Sequence, residues 1–159
     1  MATRSTIGRL HSNGSVTAVY SHWDGYPEHN GRILMENYTD EAVVDELINL
    51  GFISSLGKTI GEKHEFDNPF QFGTPEYTGE SERRRNITTF YGRDRGETDV
   101  DSHTFSSVRE FVDEFSEEYN YLFINGDWYV NSYGETAGGE YVFEPVELAL
   151  AKREANDED

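Results

Sequence analysis

The chain has no cysteine, which removes disulfide staples, thiolate nucleophiles and Cys-ligated zinc from consideration. Lysine is scarce: Lys58, Lys63 and Lys152 are the only three, against ten arginines. No apolar run reaches the length of a membrane span, and the opening "MATRSTIGRL" lacks the hydrophobic segment of a secretory signal, so an intracellular protein is expected. Motifs that announce catalysis are missing too. There is no G-x-S-x-G elbow, no Walker loop and no G-x-G-x-x-G after a strand.

What the chain has in excess is negative charge. Its 31 acidic residues against 13 basic ones leave a formal net charge of −18. Such a field repels nucleic acid, anionic membranes and free phosphates, and it attracts basic proteins. The expected partner is therefore a protein with a basic surface, with no direct contact to nucleic acid or membrane and no cofactor. The preference for arginine over lysine also fits a chain adapted to high salt, in which acidity serves solubility. With 159 residues, 35% hydrophobic and 14% aromatic, the chain is rich enough in apolar side chains for a single core. One α+β domain is expected over residues 1–150, followed by an acidic polar tail, "AKREANDED", over 151–159.

Along the chain, "STIGRLHSNGSVTAVYSHW" reads as two strands around Asn13-Gly14, and "YNYLFINGDWYVNSY" as two more around Asn125-Gly126, since Asn-Gly accepts the positive φ of a tight hairpin. Pro27 suits a first helical turn, and Ile33, Leu34 and Tyr38 follow at helical spacing, with Gly31 weakening the pattern. "TDEAVVDELINLG" is a helix capped by Thr39 or Asp40 and stopped by Gly51. Residues 57–81 read as a long loop, and "RRRNITTFYG" over 83–92 as a strand. "SSVREFVDEFSEEY" is a helix over 107–119, with Ser107 and Glu110 as a capping box and Val108, Phe111, Val112, Phe115 and Tyr119 on one face. "GEYVFEPVELAL" adds an edge strand ended by Pro145. The expected architecture is a mainly antiparallel sheet built from the two Asn-Gly hairpins and further strands, with two to three helices packed on one face.

Three candidate sites follow. The outer face of helix 107–119 carries Glu110, Asp113, Glu114, Glu117 and Glu118, a row of carboxylates able to stand in for nucleic-acid phosphates in a basic groove. Trp23, Tyr26, Tyr91, Arg93 and Arg95 supply flat rings and guanidinium forks, the materials of a nucleotide pocket, if the fold brings them together. Against that pocket stands internal pairing: Arg83, Arg84, Arg85, Arg93 and Arg95 have Glu80, Glu82, Asp94 and Glu97 as neighbours. His22, Asp24 and His29 form a weak metal-ligand set on a strand-to-helix corner, where Asp, Gly and Pro also serve as ordinary turn residues.

The blocks "MATRSTI", "HWDGYPEHNG", "FYGRDRGE" and "YNYLFINGDWYV" together resemble a family of small tailed-bacteriophage accessory proteins, over most of the chain; residues 64–82 and the acidic tail depart from it. The resemblance implies a setting, the cytoplasm of an infected bacterium, and no particular activity. In that setting the leading expectation is a non-enzymatic inhibitor of a host defence or nucleic-acid-handling protein. Sequestration of a small nucleotide signal comes second and a metal-dependent hydrolase third.

Overall fold

The computed structural model describes residues 2–63 and 87–157. The chain enters as β1 (Ser5–Leu10) and β2 (Val16–Ser21), antiparallel, with Ser5 opposite Ser21 and Leu10 opposite Val16. Their connection, residues 11–15, is held by Asn13 Oδ1, which accepts from the Ser15 N–H at 3.0 Å, and by Gly14 at φ +91°. Pro27–Gly31 then form one wide π-helical turn that runs into α1 (Arg32–Asn37). A Cβ on Gly31 would lie 3.1 Å from Val146 Cγ1 and 3.3 Å from Tyr121 Cε1. Glycine costs helix propensity there but lets the turn lie against the sheet.

α2 (Glu41–Asn49) begins where Asp40 Oδ1 accepts the Ala42 N–H at 2.9 Å, and it buries Val44, Leu47 and Ile48. β3 (Ile53–Ser55) and β4 (Thr89–Phe90) pair antiparallel, and α3 (Tyr91–Arg95) follows directly. β5 (His103–Phe105) leads into α4 (Val108–Phe115), capped by Ser107 Oγ, which accepts the Glu110 N–H at 3.1 Å. β6 (Tyr119–Ile124) and β7 (Asp127–Ser132) join through Asn125 at φ +50° and Gly126 at φ +90°. Short strands β8 (Thr136–Ala137), β9 (Glu140–Tyr141) and β10 (Glu144–Pro145) precede α5 (Val146–Asp157).

The main sheet runs β10-β7-β6-β1-β2-β3-β4, with β5 paired to β2 beside that path. β1/β6 and β2/β3 are parallel and the remaining pairings antiparallel, so the protein is α+β with a mixed, mainly antiparallel sheet. Alternation along the strands divides the apolar side chains between two cores. Ile7, Val19, Tyr121, Phe123 and Val130 meet α1, α2 and α5 in one core. Val16, Ala18 and Leu122 meet Phe105, Phe111 and Val112 in the other.

The helices are therefore not confined to one face as expected. α4 lies opposite the others, because its Phe111 and Val112 need an apolar partner and the second sheet face supplies one. α4 also ends at Phe115 instead of reaching Tyr119: Ser116 is extended (φ −69°, ψ 147°), and Tyr119 pairs with Ser5. Tyr91 opens a helical turn instead of continuing a strand, since Asp94 Oδ2 accepts the Phe90 N–H at 2.8 Å and closes it. Residues 64–86 of the expected loop and strand lie outside the described residues. The single edge strand expected over 139–145 is divided, Tyr141 pairing with β8 and Pro145 with β7. Residues 151–157 continue α5 and are not a tail: Arg153 Nε donates to Glu28 Oε1 at 2.6 Å, and its guanidinium lies 5.8 Å from the Tyr119 ring centre.

A polar seam crosses the second face. Thr6 Oγ1 donates to Asn120 Oδ1 at 2.8 Å, Asn120 Nδ2 reaches Asn131 Oδ1 at 3.3 Å, and Asn131 Nδ2 donates to the Val142 and Glu135 carbonyls. Thr6 and Asn120 are fully buried, so each polar atom depends on its neighbour. Asn120→Ala strands the Thr6 hydroxyl and the Glu117 backbone and removes one partner of Asn131, and chemical denaturation should show a loss of about 2–3 kcal/mol. A loss well under about 1 kcal/mol would mean that the seam is not a stabilising network.

Candidate functional site

The outer edge of β2 is divided between two partners. Val16, Thr17 and Ala18 pair with β5, whereas Ser21 pairs with β3. Where the two partners part, side chains fill the gap, and they are rings. Tyr20 stands between His22 and Phe52, with centroids 5.9 Å away on each side. Phe52 meets His103 at 5.7 Å and Phe115 at 5.9 Å, and those two meet at 5.3 Å. At one end the strip is anchored in the core by Phe105, 5.4 Å from Phe115, and Phe111. At the other, the Trp23 ring stands edge-on to His22 at 4.8 Å. Trp23 is 42% exposed, His103 is exposed, and Tyr20, His22, Phe52 and Phe115 are half-buried. The strip is thus a ring surface held rigid from below and open above.

Its polar surroundings come from three elements. Tyr20 Oη and His22 Nδ1 share a hydrogen bond of 2.6 Å. Burial pushes the Tyr20 phenol up, and the Arg4 charge opposes that shift. Burial lowers the His22 imidazole, and Arg4 adds to the shift. Burial raises the Glu117 carboxyl, against the pull of Arg4. One guanidinium therefore acts on a phenol, an imidazole and a carboxylate together. On the other flank, the Phe52 N–H donates to the Val100 carbonyl at 2.7 Å, which brings the segment carrying exposed Asp99 and Asp101 to Phe52; exposed Glu114 directly precedes Phe115 in the chain.

The carboxylate row expected on helix 107–119 is broken up. Glu110 turns back to accept from Ser106 Oγ at 2.5 Å. Asp113 lies 3.9 Å from Arg109 and accepts from Tyr141 Oη. Glu117 and Glu118 lie past the helix end and are half-buried, which leaves Asp113 and Glu114 exposed on the helix itself, Glu114 without an ion pair in the described structure. Other acids of the described residues stand on α2, α5, the 97–101 segment and several turns and short strands, so negative charge is not gathered on α4.

The nucleotide pocket expected from Trp23, Tyr26, Tyr91, Arg93 and Arg95 is not assembled. Tyr26 packs against the first core and approaches His29 at 6.2 Å. Arg93 is engaged by Asp94 at 3.0 Å and by the Gly61 and Thr88 carbonyls at 2.9 Å each, and it lies over Phe90. Arg95 lies over Tyr91 at 5.4 Å and pairs with Glu97 at 3.0 Å. These two arginines follow the internal-pairing alternative; Arg83, Arg84 and Arg85 lie outside the described residues.

His22, Asp24 and His29 do not converge. His22 turns to Tyr20, and His29 Nδ1 pairs with Asn30 Oδ1 at 2.9 Å. Among the described residues no three His, Asp or Glu side chains form a group that could hold a metal ion. At the turn end of β1 and β6 a cleft of about 800 Å³ opens beside Arg9, His11, Glu41 and Asn125, but Arg9 is already held by Asp45 and Glu41.

Sequence reasoning missed Arg4, Tyr20, Phe52, His103 and Phe115 as site residues. Tyr20/His22 and His103/Phe105 do carry the period-two signal of one strand face. The union of the two strands with Phe52 is a matter of long-range pairing. Compared with protein families, curated proteins and solved structures, the chain matches none. Among the described residues no helix is long and apolar enough to cross a membrane.

The placement of Arg4 is open to direct test. Because its charge pulls all three proton equilibria down, Arg4→Gln should raise the pKa values of Tyr20, His22 and Glu117 together, followed by NMR titration. An unmoved His22 would remove Arg4 from the site. His22 is held below its ordinary 6.5, so its contribution to stability is complete above that pH and is lost as the pH falls through the folded value.

Proposed function

We propose that the protein is a non-enzymatic binding protein, and that it works as an accessory factor in the cytoplasm of an infected bacterium by occupying the basic surface of a host defence or nucleic-acid-handling protein. The observation that carries this reading is the open ring strip of Trp23, His22, Tyr20, Phe52, His103 and Phe115, flanked by acids from two elements in a chain of net charge −18. Rigid aromatic area supplies contact energy at small entropic cost. Surrounding carboxylates steer a basic partner and compete with phosphates for its groove. The docking face is this strip with Glu114, Glu117, Glu118, Asp99 and Asp101 around it, in place of a row along α4.

Affinity purification from host cells tests it. The wild-type chain should retain a basic nucleic-acid-binding protein that added duplex DNA releases, and Trp23→Ala with His103→Ala should retain much less of it. A partner that DNA does not displace sinks the phosphate-competition reading, and equal retention by the double variant moves the face elsewhere.

A further inference from the structure

We propose that the outer half of the strip, the rings of Phe52, His103 and Phe115, is a seat for an arginine side chain projecting from a basic segment of the partner. This inference rests on the binding function above and names the chemical group that the site takes. Three observations support it.

The first is shape. The three rings lie 5.3 to 5.9 Å apart with interplanar angles between 35° and 47°, forming a tilted platform. A planar guanidinium stacks on such a surface, and an ammonium has no flat face to offer.

The second is charge. Asp99 and Asp101 flank the residue whose carbonyl binds the Phe52 N–H, and Glu114 sits next to Phe115. All three acids are exposed, and none of them is in an ion pair in the described structure. A guanidinium on the rings would lie in the field of these unpaired carboxylates, which a neutral apolar peptide would leave uncompensated.

The third is precedent within the molecule. Arg4, which directly precedes β1, lends its charge to the Tyr20, His22 and Glu117 end of the same strip. Elsewhere the chain sets Arg93 over Phe90, Arg95 over Tyr91 and Arg153 over Tyr119, each beside a carboxylate. Ring plus guanidinium plus acid is the arrangement this fold repeats, and the outer platform has the ring and the acids. A second copy of the chain is a poor occupant, since two bodies of net charge −18 repel and Arg93, Arg95 and Arg153 are already engaged.

Octaarginine and octalysine peptides carry equal charge and separate the stacking contribution from the field. Binding to the full chain is read by calorimetry and by the emission of exposed Trp23. At about 0.5 M salt, where the field is screened, octaarginine should bind about fivefold more tightly than octalysine. His103→Ala, an exposed site, should abolish that preference with the melting temperature unchanged, and Asp127→Asn on the far hairpin should leave it intact. Equal affinities for the two peptides, a preference that survives both His103→Ala and Phe115→Leu, or self-association of the chain that peptide competes away, each overturns the seat. The two readings fail separately. If octaarginine is preferred while no DNA-displaceable partner is captured, the seat stands and the host-target function falls; if such a partner is captured while the peptides bind alike, the function stands and the seat falls.

Discussion

β2 has one outer edge and two strands that use it. β5 runs antiparallel along Val16–Ala18, and β3 runs parallel at Ser21. Strands of opposite direction cannot continue one ladder, so the backbone pairing is interrupted between them. The gap must be closed by side chains, and only large flat ones reach across it. Tyr20 from β2, Phe52 from the approach to β3 and His103 from β5 meet there because each belongs to a different strand end. The strip is a consequence of the topology, and α4 can bring Phe115 to it only because that helix lies on the second face.

This arrangement also explains how a chain so acidic maintains a defined surface. Arg9, Arg32, Arg109, Lys152 and Arg153 join Arg93 and Arg95 in local ion pairs, each pair consuming one carboxylate and leaving the surplus in place. The exposed ones among them contribute about 0–1 kcal/mol each, so they add little to the stability of the fold. Negative charge is then not gathered on one element and supplies long-range attraction without specifying a spot. In the proposed binding function, specificity comes from a place where that field meets a cluster of open rings, as it does at the strip.

The sequence made the helical stripes legible and left the pairings obscure. α2 and the start of α4 were readable because Val44, Leu47, Ile48, Phe111 and Val112 repeat at helical spacing behind the Asp40 and Ser107 caps. The far end of α4 was overrun, because Phe115 and Tyr119 keep the four-residue spacing while the backbone at Ser116 has already turned extended. α5 was missed although Val146, Ala149, Leu150 and Arg153 follow the helical period; its buried face is small, and Leu148 on its outer side blurs the contrast. For the site, composition identified the chemistry, acids with aromatics, and picked out Trp23 and Glu114. It could not supply the rest of the strip, since Phe52, His103 and Phe115 are brought to Tyr20 and to each other by ring contacts spanning 32, 51 and 63 positions of chain.

The strip suits the proposed recognition role because little of it would have to be ordered on binding. Its His103 and Phe115 rings are fixed from below by Phe105 and Phe111, both buried. The strand beneath it is joined through β1 to the seam of Thr6, Asn120 and Asn131, whose polar groups are satisfied within the protein. A partner that lands on Trp23 or His103 therefore meets side chains with few remaining conformations, and the entropic cost of docking falls mainly on the partner. A flexible basic segment, held at first by the field and then by ring contact, matches that division of costs. A rigid apolar partner would gain nothing from the carboxylates and would have to desolvate them.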